Sequence, residues 1–143
     1  MVVRDLEASL RFYRDGIGLD LLRDVHVEGD WPELLGAPSR GLRAVFLGDA
    51  GSPDDHDGVL ELNAFDGDVP AGPAPGRPAA GFFLLSFFVD VDAALARLAA
   101  YGLGGSPRRL TQATPRGQVT LATVRDPDGV LVLLTPGSIT RNP

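Results

Sequence analysis

The chain contains no cysteine, which excludes disulfides, thiolate metal sites and cysteine nucleophiles together and fits a reducing cytoplasm. No apolar run reaches the roughly 18 to 20 residues that a membrane-spanning helix needs, and the start, Met1-Val2-Val3-Arg4-Asp5, does not read as a signal peptide. Basic runs are missing too. Lys plus Arg number 13 against 19 Asp plus Glu, a net charge of −6, so neither nucleic acid nor an anionic membrane is expected as a partner. A cytoplasmic, globular chain is the expectation. Its 143 residues, 44% of them apolar, suffice for one compact unit or two small modules sharing a core.

One block occurs twice. Asp5 opens a helical stretch, Leu6 to Ile17, that stops at Gly18, and Asp90 opens another, from Val91 through Tyr101, that stops at Gly102. With Asp5 aligned on Asp90, Ala8 falls on Ala93 and Leu10 on Leu95, the signature of a supersecondary unit used twice. Each Asp is placed to accept the free N–H groups of a first helical turn. Leu6, Leu10, Tyr13 and Ile17 make one buried stripe, and Val91, Ala94, Leu95 and Leu98 make the other.

Strands are expected at Leu19–Val27, Leu42–Leu47 and Val59–Phe65, with a loop around Gly29-Asp30-Trp31-Pro32. Residues 66–81 carry four prolines and four glycines and read as a stiff connector. Beyond it, Phe82 to Val89 is a near-continuous apolar run, expected as a strand buried on both faces. An edge strand interrupted by Pro107 and Pro115, a strand from Gln118 to Val124, a turn at Asp126-Pro127-Asp128-Gly129 and a strand from Val130 to Leu134 complete the chain. Each half is strand, helix, then three strands, βαβββ. The expected organisation is therefore residues 1–65 as a first module with a truncated opening strand, 66–81 as linker, 82–136 as a second module and 137–143 as a tail.

Two βαβββ modules, the helix Asp-Leu-Glu-Ala-Ser-Leu-Arg-Phe-Tyr ending in Gly-Ile-Gly-Leu, the strand Leu60-Glu61-Leu62 and the Asp126-Pro127-Asp128-Gly129 hairpin resemble the vicinal-oxygen-chelate superfamily. This superfamily includes glyoxalase I, bleomycin-resistance proteins, methylmalonyl-CoA epimerase and extradiol dioxygenases. The resemblance implies an α+β fold whose curled mixed sheets form a cup for a small molecule, and in the enzymes a divalent metal held by four side chains. Carried over position by position, the first ligand would lie ahead of Met1, the second is Glu61, the third falls on Phe83 or Leu84, and the fourth on Leu133. Three of the four positions thus lack a donor. One carboxylate does not supply what a divalent cation needs on dehydration.

Glu61 shares a strand face with Val59 and Asn63. Strand alternation alone makes that a solvated face, whereas the resemblance turns it into the cup, where Glu61 would be a partly desolvated carboxylate suited to proton transfer or to an amine on a ligand. Phe83, Leu84 and Leu133 would give the cup an apolar floor, with Asn63 and Trp31 as further ligand contacts. Arg43, Arg108, Arg109, Arg116 and Arg125 are candidates to pair with a carboxylate or phosphate on the guest. His26, between Asp24 and Glu28 on its strand face, reads first as an exposed position and second as a ligand or base; His56, in Asp54-Asp55-His56-Asp57, reads as a loop tip.

The expected function is small-molecule binding in an apolar cup without a complete metal site and without a cofactor, with Glu61 as candidate acid or base. The alternative is a metal-dependent lyase, epimerase or dioxygenase whose missing ligands come from an upstream segment or a partner chain. A homodimer is expected on either reading.

Overall fold

The computed structural model describes residues 1–52, 58–72, 78, 80–115 and 117–137, and the chain divides into two units, Met1–Gly72 and Pro73–Pro143. Both predicted caps form. Asp5 accepts the Ala8 N–H at 2.9 Å and Asp90 accepts the Ala93 N–H at 3.0 Å, satisfying donors that a helix start would otherwise leave bare.

In the first unit α1 (Leu6–Leu10) runs on as a π-helix over Arg11–Ile17. The stripe of Leu6, Leu10, Tyr13 and Ile17 is buried, and Phe12 joins it. Two adjacent residues face inward because the wider turn rotates the chain less per residue than an α-helix does. Their rings meet edge-on, centroids 4.9 Å apart and planes at 73°. Gly18 ends the helix at φ 98°, a conformation a side chain would strain.

The helix packs on a sheet of β1 (Asp20–Glu28), β2 (Gly41–Gly48) and β3 (Leu60–Phe65), antiparallel in the order β1-β2-β3. Val45 pairs with Leu62 and Leu47 with Leu60 across that face, and all four are buried. Removing such a side chain from water contributes about 1.5–3 kcal/mol. The helix is also tied electrostatically: Arg43 on β2 donates to Asp24 of β1 at 3.0 and 2.7 Å and to Glu7 of α1 at 3.4 Å. The guanidinium holds the Asp24 carboxyl below its ordinary range.

Where a loop was expected, residues Trp31–Leu35 form a short helix, α2. Pro32 sits in its first turn, where no N–H is missed, and Gly36 at φ 66° ends it. Leu34 and Leu35 stay exposed, so local chain preference rather than packing makes this turn.

The second unit carries β4 (Leu84–Phe88), α3 (Val91–Ala100), β5 (Arg108–Thr114), β6 (Gly117–Arg125) and β7 (Leu131–Thr135), in the sheet order β4-β7-β6-β5. Ala122, Val124, Val132 and Leu134 are buried, as are Val91, Ala94, Leu95 and Leu98 of α3. The apolar run from Phe82 is not a strand buried on both faces. Among the described residues β4 is an edge strand whose one partner is β7; Phe88 is 44% exposed, and Phe82, ahead of the strand, is 72% exposed. β5 is the opposite edge, and Pro107 and Pro115 flank it rather than interrupt it, consistent with a ring that cannot donate to a ladder.

Both units repeat one topology. Val2 bridges Asn63 in parallel and the Val3 N–H donates to the Asn63 carbonyl at 3.0 Å; β4 runs parallel to β7 and the Val89 N–H donates to the Thr135 carbonyl at 2.9 Å. In each, the segment ahead of the helix lies beside the last strand. Asn63 therefore corresponds to Thr135 and, two residues earlier, Glu61 to Leu133.

Asp126, 5% exposed, closes the β6–β7 hairpin by accepting the N–H groups of Asp128 at 3.0 Å and Val130 at 2.7 Å through one oxygen. Asp126→Ala leaves both donors orphaned and should lower stability by about 2–4 kcal/mol in chemical denaturation, while Asp126→Asn keeps the acceptor oxygen and should lose less. The Asp24–Arg43 pair predicts a pH dependence. Because the native carboxyl titrates below its ordinary value of 3.8, its stabilisation is complete above that value and drains away as pH falls below it. The gap between wild type and Arg43→Met, of order 1 kcal/mol or less for so exposed a pair, should narrow when denaturation at neutral pH is repeated near pH 3.

Candidate functional site

Each sheet has one face under its helix and one face away from it. On the helix-free face of the first sheet Glu61 stands opposite Phe46 and Asn63 opposite Ala44. Asn63 is half-buried, and its side-chain oxygen is cut off from water with no hydrogen-bond partner. Glu61 is exposed, so the desolvation expected of it is absent from this face. Its carboxylate accepts no hydrogen bond among the described residues. The Met1 amine donates to the Glu61 carbonyl; burial lowers the pKa of that amine, and the Glu61 charge opposes the shift.

In the second unit, strand register puts Arg108, Thr123, Arg125 and Leu131 on the face opposite Ala122, Val124 and Val132. They line a pocket of about 600 Å³ together with Phe83, ahead of β4, with Gly104, Gly105 and Ser106 from the loop between α3 and β5, and with Pro78 and Val124. Leu84 pairs with Leu131 and Ser86 with Leu133. Leu133, half-buried, shares the face of Leu131 without lining the pocket. An apolar wall with a few placed polar groups is the usual composition of a small-molecule site.

Trp31 is not brought to either place. It lies on α2 over a separate, shallower depression of about 490 Å³ shared with Val27 and Leu34, its Nε1 donating to the Val27 carbonyl at 3.3 Å.

A fourth grouping was not legible beforehand. The donor atoms of His26, Glu28 and Asp66 all lie within 4.8 Å of one another, and His26 Nε2 stands 3.3 Å from both Asp66 oxygens. Strand alternation places His26 and Glu28 on one face of β1, whereas Asp66 opens the Pro/Gly-rich connector 40 residues from His26. It arrives because its N–H donates to the Gly41 carbonyl at 3.1 Å and because Gly41 has no side chain: a Cβ there would overlap Asp66 Oδ2 and lie 3.2 Å from Glu28 Oε1. This group shares the sheet face of Val45 and Leu62, the helix side, not the face of Glu61.

The arginines sort cleanly. Arg43 is engaged with Asp24 and Glu7, and Arg109, on the helix side, meets Asp92 of α3 at 2.6 Å. Arg108 and Arg125 face the pocket. Arg116 and His56 lie outside the described residues. The positions that the resemblance assigns to a metal do not fit one: Glu61 is a single exposed carboxylate, and Phe83, Leu84 and Leu133 offer no donor atom. His26, Glu28 and Asp66, one imidazole and two carboxylates, are a donor set that first-row divalent cations accept.

Against known proteins, a family model described as Glyoxalase/Bleomycin resistance protein/Dioxygenase superfamily matches residues 1–134. The chain is 40% identical over 134 residues to the lactoylglutathione lyase-like protein terB of Aspergillus terreus, a match covering 90% of this chain and 68% of that protein. Among solved structures it is similar to a glyoxalase family protein from Bacillus cereus, with TM-score 0.69, 25% identity and coverage of 95% of this chain and 89% of that one. It is also similar to a glyoxalase I variant from Zea mays, with TM-score 0.62, 27% identity and coverage of 94% of this chain and 43% of that one. The repeated βαβββ topology, the two half-covered sheets and the match along nearly the whole sequence have one reading: the chain belongs to the Glyoxalase/Bleomycin resistance protein/Dioxygenase superfamily.

Proposed function

We propose that the protein binds a small organic molecule in the pocket of its second unit, by apolar contact and a few polar ones, without a metal at the positions its family uses. The observation that carries this reading is the pocket itself: about 600 Å³ against the helix-free face, with Phe83 and Leu131 as apolar surface and Ser106 and Thr123 as polar points. That volume suits a molecule of one or two rings. Glu61 and Asn63 are the polar candidates of the first unit, and the unpartnered Asn63 oxygen favours a hydrogen-bond donor there. A homodimer stays part of the reading, supported by the exposed Leu21 and Leu22 on edge strand β1 and Leu110 on edge strand β5.

A neutral aromatic probe, methyl 2-naphthoate, should raise the melting temperature by mass action in proportion to its free concentration over Kd. Leu131→Trp, which puts bulk into the pocket from a half-buried position, should abolish that shift while leaving the circular dichroism unchanged. Equal shifts in wild type and variant would remove the pocket from consideration.

The second reading, a metal-holding member of the family, is favoured by His26, Glu28 and Asp66. A cation there would join β1 to the end of β3 on the helix side, and its role would be to fasten the sheet. Cobalt(II) titration should then give one equivalent per chain in wild type, and less in His26→Ala and Gly41→Ala. A metal equivalent lost in Glu61→Gln but kept in His26→Ala would instead support the alternative of a metal-dependent lyase, epimerase or dioxygenase.

A further inference from the structure

We propose that the pocket of the second unit selects an organic acid, its apolar wall taking the body of the molecule and Arg108 with Arg125 taking the carboxylate. This rests on the reading of the pocket as a small-molecule site and adds the chemical class of its occupant.

The first argument is the sign of the charge. The chain carries a net −6, yet among the described residues those lining this pocket include two arginines and no Asp or Glu. Cations collected in an acidic protein without lining acids leave a local potential of the opposite sign to the whole, which draws in anions.

The second argument is what the arginines are not doing. Arg109 turns to the helix side and pairs with Asp92. Arg108, next in sequence but on the opposite face, has no hydrogen-bonding or ion-pairing partner among the described residues. Arg125 donates Nη1 to the Gly129 carbonyl at 2.9 Å. That contact holds the guanidinium in place, which reduces the ordering cost a ligand would otherwise meet.

Geometry supplies the third. Arg108 is directly across from Thr123, and Arg125 is two residues further along β6 on the same face. Such diagonal neighbours have Cβ atoms roughly 7 Å apart, close enough for two long side chains to converge on one group. Two guanidinium forks lining one pocket with Phe83 and Leu131 suit a planar carboxylate attached to an apolar body. The apolar wall strengthens the attraction by displacing water.

Titration calorimetry of the full chain with 2-naphthoate and with its neutral methyl ester tests this, since the two share a ring system and differ in charge. The acid should bind at least about tenfold more tightly than the ester, the factor an added hydrogen bond to a charged group supplies, and added salt should erode that ratio. Arg108→Gln, an exposed change that the fold tolerates, should bring the ratio towards one, and Arg108→Gln with Arg125→Gln should abolish it. Equal binding of acid and ester by wild type, or a preference that survives both variants, overturns the inference and leaves the pocket reading standing. If neither the acid nor the ester binds, the pocket reading falls, and the inference with it.

Discussion

Val45 and Leu62, opposite each other on β2 and β3, are wholly shut off from water. Above them lies α1, tied to the strand edge by Glu7 and Arg43. One helix on one face of a thin sheet is the constraint from which the other properties of each unit follow. A three- or four-stranded sheet has two faces to cover and only one helix to cover them with. The second face must therefore be left to whatever the fold brings to it, and half-buried side chains such as Leu131, Leu133 and Asn63 mark it out. The asymmetry leaves one face of each sheet without a helix over it.

The helix side shows what the polar residues do when they serve architecture. Arg43, Asp24, Glu7, Arg109 and Asp92 join strands to helices across that face. They are exposed pairs whose individual contribution is small, added at the rim of an apolar contact made by the buried helix stripes. Arg108 belongs to the other face, and a change of one position along β5 separates a structural arginine from one with no structural duty. The two-residue period of a strand makes that division automatic.

Much of this was legible in the residues because it is local. The capping aspartates, the helical stripes and the Asp126-to-Gly129 turn depend on neighbours a few positions away, and each appears where the spacing puts it. Non-local facts were not legible. Asp66 meets His26 across 40 residues, a meeting that depends on the register of three strands and on Gly41 having no side chain. The apolar run at Phe82 to Val89 does not encode how many strands flank it, so its place at a sheet edge was invisible. The π-helical turn that buries Phe12 beside Tyr13 likewise departs from the ideal period on which any stripe argument rests.

The hydrogen-bond register that equates Glu61 with Leu133 has a consequence for how such a chain diversifies. Both positions sit on the face away from the helix-covered core, and backbone pairing holds each strand in register whichever side chain stands there. Duplicated halves of this kind are free to drift apart chemically while staying alike in topology, one copy carrying a carboxylate and the other an aliphatic side chain at the same register position. Descent within such a lineage would then be recorded in the backbone long after its reactions had changed.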